Sequence, residues 1–159
     1  GILYSCPSSG IGEVYKSHEL IRSVNNVHYI RWFETARMRW IERVTSTLSR
    51  EIRDNLALGR GVGVILASTY CRYRRPVTYP DTIVIGQAPL PMHRRDRAII
   101  RSTAYSVAQR NVVAEGDFDC VAYDYDRLCK ATFPEELKEA MKAWVYKGQN
   151  PEPFCQKRS

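Results

Sequence analysis

No apolar run approaches the roughly 18 residues that a membrane-crossing helix needs, so no membrane span is expected. No C-x-x-C pair occurs, and the five cysteines (Cys6, Cys71, Cys120, Cys129 and Cys155) are odd in number. That pattern points to reduced thiols and a cytoplasmic setting rather than to a disulfide framework. The histidines, His18, His28 and His93, lie far apart, and no Cys/His spacing of a zinc site is present, so no metal is expected. A G-x-S-x-G nucleophile elbow is missing too. There is no internal repeat. The opening "GILYSCPSSG" has neither the basic segment nor the long apolar core of a signal peptide. A targeting segment removed upstream of Gly1 stays open.

The chain of 159 residues has the length of one domain with a real core. Its formal net charge of +7 has two readings. One is a solvated basic surface. The other is an anionic partner: a phosphate-bearing molecule, an acidic carrier protein or nucleic acid. Charge by itself does not separate them.

Residues 1–11 read as a loose arm, 12–146 as the folded domain and 147–159 as an irregular tail. "GEVYKSHE", Gly12 to Glu19, has the look of a short strand, followed by a loop. From Asn26 onward the period is helical. Tyr29, Ile30, Phe33, Ala36, Trp40, Ile41 and Val44 recur at steps of one, three or four and mark one apolar face. Val27, Trp32 and Met38 add apolar surface off that face, which predicts a largely enclosed helix. Ser23, Asn25 and Asn26 are all suitable N-caps. "SREIRDNLALG" predicts a second, short helix stopped by Gly59.

Beyond Gly61 the period falls to two. Strands are predicted over Val62–Arg75, "TIVIGQA", "RAIIRSTAYSVAQ" and "NVVAEGDFDCVAYD", the last two forming a hairpin around Arg110-Asn111. "PVTYPD" supplies a tight turn at Pro80-Asp81. "FPEELKEAMKAWV" is a closing helix, with Pro134 in its first turn, acids early and lysines late. One enclosed helix with an antiparallel sheet is an α+β arrangement.

Four segments, in this order, resemble one family. "VNNVHYIRWFETAR" is similar to the helix signature of hotdog-fold acyl-CoA thioesterases of the 4-hydroxybenzoyl-CoA thioesterase-like group. "ASTYCRYRRPVTYPDTIVIG" resembles that group's following strand pair, and "VVAEGDFDCVAYD" and "FPEEL" its last strand and closing helix. The likeness covers roughly residues 12–145. It implies a hotdog fold, a curved antiparallel sheet wrapped around the long helix. It also implies homodimers or homotetramers with active sites at the dimer interface. Coenzyme A enters as part of the substrate, and no cofactor is implied. The loop before the helix departs from the family pattern: Ser23 stands at the family's histidine, Arg22 at its glycine, Glu19 at the second aspartate and Ser17 at the first.

Hydrolysis of a thioester needs an attacking oxygen and donors for the oxyanion on the acyl carbonyl. A helix start offers unpaired N–H groups and a positive partial charge. By position in the family, the Asn26 backbone N–H takes the oxyanion role, with Asn25 beside it. Glu19, one methylene longer than the aspartate it replaces, is the general base or the nucleophile. Ser23 and His18 flank the same loop. Glu34 and Arg37, three apart on the helix, are expected to pair with each other. Tyr29 and Phe33 are candidates to line an acyl or aryl pocket, although the face spacing already explains them as core.

Arg74 and Arg75, at the end of a basic strand, are candidates to hold coenzyme A phosphates or an acidic carrier protein. Strand alternation separates Arg72 and Arg74 from Tyr73, which argues against a nucleic-acid surface. The expected function is hydrolysis of an acyl-CoA or carrier-bound acyl or polyketide thioester. The alternatives are a non-catalytic acyl-thioester binding module and a hotdog dehydratase or cyclisation catalyst.

Overall fold

In the computed structural model the described residues are 4–6, 10–16 and 23–148, the first two stretches through their backbone alone. The elements in chain order are β1 (Tyr4–Cys6), β2 (Gly10–Lys16), α1 (Asn26–Thr45), α2 (Arg50–Leu58), β3 (Val62–Tyr73), β4 (Thr82–Pro89), β5 (Arg97–Ser106), β6 (Asn111–Asp124), β7 (Cys129–Lys130) and α3 (Glu135–Lys142). One antiparallel sheet runs in the order β1-β2-β4-β5-β6-β3, and β7 adds to β6.

The helix is long because its periodic face has a sheet to bury against. Tyr29, Phe33, Ala36, Trp40 and Val44 are all buried. The sheet meets them with Ile83, Ile85, Ala104, Ala114, Phe118 and Ala122, none more than 1% exposed. Small residues along the middle strands let the helix come close. At Gly116 a Cβ would sit 3.1 Å from the Tyr70 carbonyl oxygen and 3.4 Å from the Phe33 ring. This is the hotdog arrangement, one antiparallel sheet packed along the long helix.

Several sequence expectations are met and several are corrected. All four predicted strands after the helices form, and α2 stops at Gly59 in the left-handed conformation (φ 62°). Arg110 takes φ 52° at the predicted hairpin. The arm is not wholly loose, since Tyr4–Cys6 pairs with Gly10–Gly12. The first long strand starts at Gly10 and ends at Lys16, short of Glu19. The enclosed helix is only half right: Val27 and Met38 are 54% and 52% exposed, because they lie off the stripe that meets the sheet. The strand β7 was not expected.

The Glu34–Arg37 pair does not form. Phe33, Ala36, Arg37, Trp40 and Val44 make one stripe at helical spacing, so Arg37 is carried inward with it. Its Cζ lies 4.7 Å over the Phe118 ring, and Glu34 is exposed on the other side.

The sheet face away from α1 is also partly covered. There Arg101 and Asp117, 2% and 5% exposed, form a two-pronged ion pair of 2.9 and 3.0 Å. The segment after α3 folds over them, with the Tyr146 N–H donating to the Pro89 carbonyl at 2.7 Å and its ring 5.5 Å from the Arg101 Cζ.

Candidate functional site

The start of α1 is held from three sides. The Val24 N–H donates to the Val77 carbonyl at 2.8 Å, which fixes the entry to the helix. Asn25 is the N-cap, and its Oδ1 accepts from the Val27 N–H at 3.1 Å. The Tyr73 hydroxyl, from the end of β3, donates to the Asn26 carbonyl at 3.3 Å. Tyr29 packs edge-on against Tyr73, ring centres 5.3 Å apart, and against Trp32 at 5.2 Å. One turn deeper, the Gln87 amide donates to the Phe33 carbonyl at 2.8 Å and to Ser102 Oγ at 2.5 Å. The helix end is therefore a rigid element.

Its first donors differ in use. The Val27 N–H is taken by the Asn25 side chain and the His28 N–H by the Asn25 carbonyl, at 3.0 Å. The Asn26 N–H has no acceptor among the described residues, as the first helical position leaves it. Asn25 and Asn26 are both exposed. Replacing Asn25 by alanine is expected to lower stability by about 1 kcal/mol through loss of the cap. A denaturant titration that places the variant level with the parent would show the cap to be idle.

The titratable groups here are set up as neutral donors. Burial pushes the Tyr29 phenol up, against a hydrogen bond with the Val77 backbone. Burial also raises the Cys71 thiol, although its hydrogen bond with Tyr73 pulls the other way. Tyr73 is pushed up to about 12, by burial first and by Cys71 second. Near neutral pH none of the three is an anion, so none is a nucleophile or a base. The nearby carboxylate is Asp81, and both its oxygens are occupied. Oδ1 accepts from the Thr82 and Ala108 N–H groups at 2.7 and 3.0 Å, and Oδ2 from Ser106 Oγ at 2.5 Å. Asp81 thus ties the turn that follows the cis Tyr79-Pro80 bond to the end of β5.

Of the sequence-predicted residues, Ser23, Asn25, Asn26 and Tyr29 meet at this helix start, and Arg74 and Arg75 follow directly on Tyr73. Glu19 lies outside the described residues, as do Ser17 and His18. Ser23 is exposed. Arg74 is ion-paired with Glu115, where β3 and β6 run side by side. Phe33 is 0% exposed and packs on Phe118 at 5.7 Å, so its ring is core. Arg75 is exposed and makes no ion pair among the described residues. The role of Tyr73 was missed; its signal was a tyrosine one residue before the Arg74-Arg75 pair, on the opposite strand face.

A long helix with this start, wrapped by one curved antiparallel sheet, defines the hotdog class. The Thioesterase-like superfamily profile matches residues 20–141, and the chain belongs to that superfamily. Solved structures agree on the fold. A Staphylococcus aureus protein, SAV2348, determined in complex with CoA, superposes with a TM-score of 0.73 at 11% identity, covering 98% of this chain and 97% of that one. The PA5185 protein from Pseudomonas aeruginosa gives 0.67 at 24% identity, over 87% and 93% of the two chains. A thioesterase from Thermus thermophilus, complexed with coenzyme A and Zn, gives 0.66 at 18% identity, over 86% and 95%. A search of curated proteins finds no match.

Proposed function

We propose that this chain hydrolyses an acyl thioester carried by coenzyme A or by an acyl carrier protein. The observation that carries the proposal is the Asn26 N–H, without an acceptor among the described residues, at a helix start fixed by Asn25, Tyr73 and Val77, in a chain of the thioesterase-like superfamily. The acyl carbonyl oxygen lies against that donor. As water attacks, charge gathers on the oxygen, and a preorganised N–H at a helix start stabilises it most when it is most negative. Glu19, which precedes the helix in the sequence, takes the proton from the attacking water. The thiolate of the carrier leaves and is protonated from solvent. Arg75, exposed near the same end of α1, offers a cation to the phosphates of coenzyme A.

A second reading is favoured by one observation: Ser23, Arg22 and Ser17 replace residues of the family's own signature. It is a binding module that holds an acyl thioester without cleaving it. Thiol release from short, long and aromatic acyl-CoAs separates the two. Release with at least one member of the panel is expected. Tight binding of the panel without release would sink the hydrolase and leave the binding module.

Self-association completes the proposal. The sheet ends at β3, twelve residues long and paired on one side, to β6. Such an edge is a template for another strand. Leu66, Tyr70 and Tyr73 stand exposed along it, which supports a second copy of this chain as the partner, in a dimer or tetramer. No helix among the described residues is long and apolar enough to cross a membrane. Cys71, Cys120 and Cys129 are free thiols, in keeping with a cytoplasmic setting.

A further inference from the structure

The second half of α1 borders a cavity of about 220 Å³, shared with β3, β5, β6 and α3. Its wall is mostly apolar, with Val44, Leu56, Ile100, Phe133, Leu137 and Met141 in it. Met38 and Leu66, 52% and 46% exposed, also line it and give it a rim to solvent.

Two polar groups interrupt that wall. Arg37 is 7% exposed, and its Nη1 has no hydrogen-bond partner among the described residues. Trp40 is 3% exposed, and its Nε1 has none among them either. The two stand three residues apart, the spacing at which helix side chains are neighbours. Both are donors only. The Phe118 ring beneath Arg37 accommodates a cation but supplies no counter-charge. Cys120 shares the wall, and burial pushes its thiol up to about 11, so near neutral pH it is uncharged. A buried guanidinium without an anion is among the costliest arrangements a fold can keep. Both donor atoms are closed off from water, so a small turn of either side chain is what presents it to the cavity. Two orphaned donors and one charge without an anion among the described residues then call for an acceptor that is negative and has an apolar body.

We propose that this cavity binds a small apolar carboxylate, its carboxyl group on Arg37 with Trp40 as the second donor and its body among Val44, Leu137 and Met141. An apolar cavity of about 150 Å³ holds benzene, so about 220 Å³ suits a single-ring acid or a chain of roughly six to eight carbons. This is not the thioester site. Arg37 lies eleven residues beyond Asn26, about 16 Å along the helix axis. Phe33, wholly buried against Phe118, fills the space between. The proposal stands whether or not the chain is a hydrolase. The acid has two possible sources: the product of a thioester cleavage at the helix start, or an unrelated acid that acts as an effector.

The test is calorimetric titration of the full chain with octanoate, benzoate, 1-octanol and benzyl alcohol. At least one carboxylate is expected to bind ten times or more tighter than the alcohol of its shape. Arg37→Met, which keeps the bulk and removes the charge, should erase that preference with the melting curve intact. Ala98→Leu, which fills the cavity from β5, should weaken acid and alcohol alike. Equal binding of acid and alcohol, an unchanged preference in Arg37→Met, or no binding by any of the four would overturn the proposal. The sources are told apart by turnover. An acid that slows hydrolysis of its own CoA ester in the parent but not in Arg37→Met is the product; one that binds without touching that rate comes from elsewhere.

Discussion

Glutamine in place of Glu19 is expected to lower kcat for thioester hydrolysis by about 10²–10⁴-fold, the usual contribution of a positioned general base. KM and melting temperature should stay near those of the parent. The expectation rests on the resemblance and on the state of several groups around the start of α1 that are already spoken for. Asp81 spends both oxygens on the β4–β5 corner. Tyr29, Cys71 and Tyr73 are held protonated by their surroundings. Glu19 is the carboxylate that precedes the helix in the sequence. The variant is isosteric and keeps hydrogen bonding, so a fall in kcat with normal folding isolates the proton transfer. Turnover within about fivefold of the parent would take Glu19 out of the mechanism, and Glu34 would be the next carboxylate to replace.

Asn26→Pro should lower kcat by about 10²–10³-fold, the cost of one oxyanion donor. A backbone N–H is ordinarily out of reach of mutagenesis, but this one is not. Asn26 is the first helical residue, the position where proline is most at home, since the lost N–H was never bonded within the helix. The residue before a proline must be extended, and Asn25 already is, at φ −64° and ψ 142°. The Asn25 cap, the Tyr73 contact to the Asn26 carbonyl and the helix itself all survive the change. Asn26→Ala is the control, because it removes the side chain and spares the donor. If proline and alanine variants turn over alike, the oxyanion is not held at Asn26.

Much of the fold was legible because its signals are local. The stripe from Tyr29 to Val44 had a sheet to meet, the change of period at Val62 marked the strands, and Gly59 and Arg110 sat where left-handed backbone was needed. Register was not legible. Val113 is an extra residue in β6 that shifts its pairing with β5 between Ala104 and Tyr105, and the hairpin turn gives no hint of it. The inward course of Arg37 could have been read, since it stands four after Phe33 and three before Trp40. Charge made a surface pair with Glu34 the easier expectation, but the geometry of the stripe prevailed. In the candidate site the asparagines were visible as caps, and Tyr73 was not, since a contact across 47 residues leaves no mark on spacing.

That extra residue also gives the Arg101–Asp117 pair a second consequence. If the β5–β6 hairpin zipped up straight from its turn, without Val113 looping out, Arg101 would face Gly116. Asp117 would then point at the helix side of the sheet, because a shift of one residue sends every side chain to the opposite face. A carboxylate would be driven in against Phe33, Phe118 would be turned out of the core, and a guanidinium would be left alone under Tyr146. The bulged alignment is the one in which both ions meet, directly opposite each other. The pair therefore forms in the bulged alignment and not in the straight one. The same bulge carries the Val113 carbonyl that receives the Arg74 and Arg75 N–H groups at 2.8 and 3.2 Å. A misaligned hairpin would accordingly lose its grip on the end of β3, and with it the placing of Tyr73 against the helix start.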